Sequence, residues 1–181
     1  MVGLNWFDLA LFIALLAGLA VGYYQGLVRQ LINLAAFYLG AIVASQYYSM
    51  LGYAVKGTMA TTPGLAVNAG AFFVIMMIVV VILNILALDA TKMMIRLPPV
   101  VEHLGGMVLG LSATWVFITI AVSILLVITQ EGWSEAEGAR QIIYSGVHES
   151  QIAHATQTTL PALLGAIKPW LPGGIPNIFK I

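Results

Sequence analysis

The sequence predicts an all-α integral membrane protein, with four transmembrane helices in a small bundle and a C-terminal interfacial helical tail. Hydrophobic residues make up 61% of the 181 residues and charged residues only 8%, whereas about a quarter of the residues are charged in an average soluble domain. Four runs contain no Asp, Glu, Lys, Arg or His, and they cover residues 9–28, 30–55, 57–88 and 104–130. A helix needs roughly 20 apolar residues to cross a bilayer core, and each run is at least that long.

The first two spans must be separated by a turn, because Leu9–Val55 holds a single charge, Arg29. As one helix this stretch would be about 70 Å long, more than twice the hydrocarbon thickness of a bilayer. Glycine permits a tight turn and tyrosine suits the membrane interface, so the turn is predicted around Gly22–Gly26 and Arg29. Span one is therefore placed at about 4–24 and span two at about 30–54.

Span three is placed at about 65–88, and its helix is expected to continue past the membrane. Charged residues in that extension recur at positions i, i+3 and i+7, which places them on one face of a helix. They are Asp89, Lys92 and Arg96. Pro98-Pro99 is expected to stop this helix, because proline breaks the helical hydrogen-bond pattern.

Span four is placed at about 105–129, so residues 1–130 are predicted to form one four-helix transmembrane domain. Residues 131–181 form the tail, whose late apolar run Leu160–Ile167 is too short to cross a bilayer. Residues 134–158 read as a polar helical segment with an imperfect apolar stripe. We therefore expect an amphipathic, Pro-Gly-rich tail that lies along the membrane surface.

The orientation of the bundle follows from the few cationic residues near the span ends. Arg29, Lys92 and Arg96 lie on one side, whereas Lys56 and Arg140 lie on the other. The positive-inside rule counts Lys and Arg near the membrane, so the side with three of them is predicted to be cytoplasmic. Both termini are then predicted to be extracytoplasmic.

Small residues spaced four apart form strips on three of the predicted spans, two glycine strips on spans one and four and the pair Gly40 and Ala44 on span two. Such a strip lets another helix backbone approach closely. One interpretation is packing among the four spans, and the other is a contact surface for another subunit; both remain open. The candidate residues for helix packing or partner contact are Gly18, Gly22, Gly26, Gly40, Gly106 and Gly110.

Asp8 and Arg29 are candidate interfacial charges at opposite membrane faces, because about 31 Å of helix separates them. Asp8 is within reach of Lys56 or the tail, and Arg29 is within reach of Asp89 or Glu102. One interpretation is anchoring of helix ends in the interface. The alternative is that each charge fixes helix docking or a partner contact. A proton or ion relay is not expected, because the middles of the spans hold no ionisable group.

The histidines give no sign of a cofactor or metal. His103, His148 and His154 lie outside the apolar centres of the spans, which argues against a haem ligated by histidine at membrane depth. His148-Glu149 begins like the zinc motif HExxH, but the next histidine comes at i+6 instead of i+4. No catalytic, cofactor-binding or metal-ligating residue is therefore assigned, and an enzyme is not expected.

Polar residues inside the spans form no obvious stripe along which a solute could move. Hydrogen bonds between helices, worth about 0.6 kcal/mol each, account for them. They are Asn33, Ser45, Gln46, Asn68, Asn84, Ser112, Thr114, Thr119 and Ser123. No small-molecule substrate is evident, and a net charge of zero gives no attraction to nucleic acid.

The chain resembles the colicin V production protein (CvpA) family over roughly residues 5–130. The family pattern has an Asn-x-x-Asp entry to the first helix, an Arg-Gly-aromatic-x-Arg-Glu turn, and a Gly-x-x-x-Gly start to the last span. The corresponding segments here are Asn5-Trp6-Phe7-Asp8, Gln25-Gly26-Leu27-Val28-Arg29-Gln30, and Gly106-Met107-Val108-Leu109-Gly110. Gln25 replaces the usual first arginine and Gln30 the usual acid, so this chain lacks that Arg–Glu pair.

The resemblance implies a multi-pass protein of the bacterial inner membrane, involved in colicin V production or export or in envelope homeostasis. We expect a non-enzymatic protein without cofactors that acts through helix–helix contacts. Its expected partners are the lipid bilayer and other membrane proteins, or a second copy of itself. One alternative is an accessory structural subunit of a larger membrane complex. A small transporter or channel is the third.

Overall fold

The computed structural model describes residues 5–56, 64–90, 98–130 and 136–170, which form six α-helices and a final 3-10 turn at Lys168–Trp170. The helices are α1 Trp6–Gln25, α2 Leu27–Lys56, α3 Gly64–Ala90, α4 Pro99–Gln130, α5 Glu137–Glu149 and α6 Gln151–Ile167. Four of them, α1 to α4, are long and apolar enough to cross a membrane. The described residues contain no strand. The predicted all-α class is therefore confirmed.

A single residue, Gly26, separates α1 from α2. Its φ of +80° lies in the left-handed region, which glycine adopts without steric cost. Its amide donates a hydrogen bond to the carbonyl oxygen of Gly22 at 3.0 Å, which closes the last turn of α1. From the sequence we expected a broader turn that included Gly22 and Arg29. Both residues are helical instead, because one left-handed glycine is enough to end one helix and begin the next.

α4 is the central helix, and two clusters of buried apolar side chains lie on its opposite faces. One cluster joins α2, α3 and α4 through Ala36, Ala41, Ala44, Ala69, Phe72, Met76, Val80, Ile120, Ile124 and Val127. The other joins α1, α4 and both tail helices through Phe7, Ile118, Val122, Val147 and Ala153. The tail is therefore part of the packed core.

α6 lies antiparallel to the second half of α4. Gln157 contacts Ser123, and two residues later Thr159 contacts Thr119 and Trp115. On α4 these contacts extend from Ser123 back to Trp115, about 12 Å of helix. The position of the tail along the membrane surface stays a prediction. Within the bundle, side chains of α6 provide hydrogen-bonding partners for polar side chains of α4.

α4 begins at Pro99, ahead of the predicted start at about 105. Proline is favoured at the first position of a helix, where its missing N–H would have no partner. The helix that Pro98-Pro99 was expected to stop falls in residues 91–97, outside the described ranges. Lys92 and Arg96 lie there as well. Asp89 belongs to α3, but its side chain is also outside the description.

Candidate functional site

The glycine strips of α1 and α4 pack directly against each other. A Cβ atom on Gly22 would lie 2.9 Å from the carbonyl carbon of Gly106 and 3.0 Å from the Cα of Gly110. One turn away, a Cβ on Gly18 would lie 2.7 Å from the Cβ of Thr114. Even alanine would force the two backbones apart. The strips therefore serve packing between helices of this chain.

The other two candidate glycines also lie at internal contacts. A Cβ on Gly26 would lie 2.8 Å from the Cγ of Glu102, at the start of α4. A Cβ on Gly40 would lie 3.0 Å from a methyl carbon of Val80 and 3.1 Å from the carbonyl oxygen of Met76, both in α3. All six glycines that the sequence singled out thus face another helix of the same chain or its side chains.

Asp8 is buried at the start of α1, with 1% of its surface exposed. One carboxylate oxygen, Oδ1, accepts hydrogen bonds from the Ser150 hydroxyl at 2.6 Å and from the Ile152 amide at 3.0 Å. The other, Oδ2, accepts from the Asn5 amide at 3.3 Å. Three donors around one carboxyl group suit an ionised carboxylate, which only accepts.

These contacts fix the junction between α5 and α6 to the beginning of α1. Ser150 is the N-terminal cap of α6, and its hydroxyl oxygen also accepts from the amide of Ala153 at 3.0 Å. A carboxylate at this position is favourable, because the first amides of a helix carry partial positive charge. Asn5 adds a hydrogen bond from its side chain to the carbonyl oxygen of Gly146 at 3.0 Å. We call Asn5, Asp8, Gly146, Ser150 and Ile152 the tail junction.

Asp8 contacts the tail, which the sequence placed within its reach, and its carboxylate is buried. Arg29, the other candidate interfacial charge, lies half-buried in the first turn of α2. The two residues are thus not brought together: Asp8 lies near the start of α1, and Arg29 follows its end. The sequence missed Ser150, although a serine that precedes a helix is a recognisable cap signal.

A polar seam follows the contact between α4 and α6. The indole N–H of Trp115 donates to the Thr159 hydroxyl at 3.1 Å, and the hydroxyls of Thr119 and Thr159 are 3.4 Å apart. The Ser123 hydroxyl donates to the Thr119 carbonyl oxygen at 2.7 Å and contacts Gln157 Oε1 at 3.3 Å. Thr119 and Ser123 are four residues apart and share one helix face. Polar side chains therefore do form a stripe on one face of α4, and Gln157 and Thr159 of α6 contact it.

An ion pair in α5 lies beside the end of α4 and hydrogen-bonds to it. Arg140 pairs with Glu137 within α5, and its Nη1 donates to the carbonyl oxygen of Thr129 at 2.7 Å. The hydrogen bond to Glu137 raises the pKa of the Arg140 guanidinium above its ordinary value. A cation is favourable here, because the last carbonyls of a helix carry partial negative charge.

Three side-chain amides meet at the opposite end of α1, where α2 begins. Gln30 is buried, and its Nε2 donates to the Oε1 of Gln25 at 3.1 Å. Asn33 donates to the same oxygen at 3.2 Å and to the Oε1 of Gln30 at 3.3 Å. The amide group links the end of α1 to the first turns of α2 on either side of Gly26.

Among the described residues, no group of three or more His, Asp or Glu side chains could hold a metal ion. The geometry instead defines a multi-pass helical membrane protein whose tail is docked onto its own bundle. The model of the colicin V production protein family matches residues 7–161, and the chain belongs to that family. No curated protein and no solved structure matches the chain. The family match extends through α5 and into α6, and so includes the polar seam and every residue of the tail junction except Asn5.

The amide pair Gln25–Gln30 occupies the positions where the family pattern has an arginine and an acid. We expect Gln30→Glu alone to lower the free energy of unfolding by about 2 kcal/mol, because it places a buried carboxylate against an amide oxygen. Adding Gln25→Arg should restore most of that loss by providing a donor. Denaturant titration in detergent measures both values. Equal stability of the single and double variants would contradict a pairwise contact.

Proposed function

We propose that this protein is a non-enzymatic component of the bacterial inner membrane that supports colicin V production or export, or envelope homeostasis, through contacts with other membrane proteins. Family membership supports the biological context. One observation supports a scaffold: every side chain among the buried polar residues of the described ranges hydrogen-bonds within the chain. These residues are Asp8, Gln30, Thr119, Ser123, Thr129, Ser150 and Thr156.

A scaffold built this way must present its partner surface on the outside of the bundle. The glycine strips already pack against other helices of the same chain. A contact with a partner protein must therefore use exposed side chains. One candidate face is at the end of α2, where Tyr47, Met50 and Tyr53 are 54%, 73% and 73% exposed and recur every third residue. Aromatic side chains and methionine are enriched at protein interfaces.

Affinity purification from colicin V-producing bacteria in mild detergent tests the proposal. We expect membrane proteins to be recovered with the wild-type chain and to be reduced by Met50→Ala on the exposed face of α2. Val74→Ala on α3, which is 49% exposed, is the control and should retain them. A fixed-stoichiometry complex would favour the accessory-subunit alternative. Solute flux through the purified protein in liposomes would contradict the scaffold and favour a transporter or channel.

We also propose that both termini face away from the cytoplasm, as the cationic residues near the span ends indicate. The chain has no cysteine, so Ser145→Cys on the exposed side of α5 provides a single reporter. It should react with a membrane-impermeant maleimide in intact spheroplasts. Val100→Cys, 68% exposed at the start of α4, is the control for the opposite end and should react only after permeabilisation. The reverse pattern would overturn this orientation.

A further inference from the structure

A groove of about 290 Å³ lies between the last turns of α4 and the two tail helices. Its lining combines apolar side chains with amides, imidazoles and a phenol. The lining residues are Leu126, Gln130, Tyr144, Val147, His148, Ala153, His154 and Gln157. We call this the tail groove. It is separate from the tail junction, which holds α1.

Gln157 gives the tail groove an unused hydrogen-bond donor. Its Oε1 contacts the Ser123 hydroxyl at 3.3 Å, whereas its Nε2 is buried and has no acceptor among the described residues. Buried polar groups in native proteins are nearly always hydrogen-bonded to protein, water or ligand. The terminal torsion of glutamine is soft, so a small rotation would point Nε2 at an oxygen in the groove.

The tail groove lies beside the last turns of α4, a helix long and apolar enough to cross a membrane. Gln130 is the exposed last residue of α4, and Ser123, which contacts Gln157, lies about 10 Å further along the helix. Each polar region of a bilayer is roughly 5–7 Å thick. With Gln130 placed at the outer edge of that polar region, Gln157 lies near the level at which the ester groups of a lipid join its acyl chains. His148 and His154 are exposed and lie nearer the end of the bundle.

We propose that the tail groove binds one glycerophospholipid molecule. An ester carbonyl of the lipid accepts a hydrogen bond from Gln157 Nε2, and the phosphate lies beside the imidazoles of His148 and His154. The start of an acyl chain packs on Leu126 and Val147. The described lining contains no carboxylate that would repel the phosphate. Such a lipid bridges α4 to both tail helices.

The experiment compares two forms of phosphatidylglycerol that differ only in how their two chains are linked to glycerol, by esters or by ethers. Delipidated wild-type protein in detergent is mixed with the diester lipid, with its diether analogue or with inorganic phosphate, and native mass spectrometry measures the bound fraction. The diester should bind about fivefold more tightly than the diether, which lacks the carbonyl that Gln157 contacts. Inorganic phosphate should not bind. Equal binding of the two lipids, or binding of phosphate alone, would overturn the proposal.

Two variants test whether the preference for the diester lipid arises in the tail groove. Gln157→Leu removes the amide and should abolish the fivefold preference for the diester. Gln141→Leu makes the same change on the exposed surface of α5 and should keep it. A Gln157→Leu protein that retains the full preference would overturn the assignment. If Gln157→Leu fails to fold, as judged by circular dichroism, the wild-type comparison of diester and diether still decides the lipid site.

Discussion

Gly22→Leu is expected to destabilise the protein by about 3 kcal/mol or more, because it overpacks the closest contact between α1 and α4. The Gly106 and Gly110 backbones already lie where the first side-chain carbon would be placed, at 2.9 and 3.0 Å. Unlike a flexible side chain, this backbone cannot move aside without separating the helices. Denaturant titration in detergent, followed by circular dichroism, would measure the lost free energy of unfolding.

Gly70→Leu is the matched control for this prediction. Gly70 also lies inside a membrane-spanning helix, α3, but a Cβ there would meet no atom within 4 Å. We expect Gly70→Leu to change the free energy of unfolding by less than about 1 kcal/mol. If Gly22→Leu were as stable as Gly70→Leu yet lost a partner protein on purification, the α1 strip would be a subunit surface rather than an internal contact.

The fold class was predictable because its signal is local. A charge-free run is long enough to cross a bilayer whatever the rest of the chain does, and a single glycine such as Gly26 can end a helix. The glycine strips were also visible as spacing within single helices. Their mutual pairing was not, because spacing shows that a helix face is flat without showing which helix covers it.

The tail junction illustrates why the candidate site was harder to predict. Asp8 and Ser150 are 142 positions apart, so no local pattern connects them. Near the start of a membrane helix, an aspartate is usually explained by the interface. The polar seam was missed for a related reason. Thr119 and Ser123 share a face of α4, but spacing within α4 does not show that α6 of the tail covers this face.

The second large effect is expected from a substitution in the tail junction. Asp8→Ala should weaken docking of α6 by about 3 kcal/mol, because it leaves the Ser150 hydroxyl and the Ile152 amide without their charged acceptor. Thr156→Cys provides the readout, since Thr156 is completely buried in α6 and the chain has no other cysteine. Its maleimide reactivity should rise about 100-fold in the Asp8→Ala background if labelling reports local opening of the tail.

Two further variants separate the role of Asp8 from a general effect of charge. Glu149→Ala removes an exposed acid beside the junction and should leave the labelling rate of Thr156→Cys unchanged. Asp8→Asn keeps the size of the side chain but weakens its hydrogen bonds, so its effect should be intermediate. Combining Asp8→Ala with Ser150→Ala should cost less than the sum of the single changes, because both remove the same contact. Strict additivity would mean that Asp8 does not act through Ser150, and α6 docking would then depend on the polar seam and the apolar cluster around Val147.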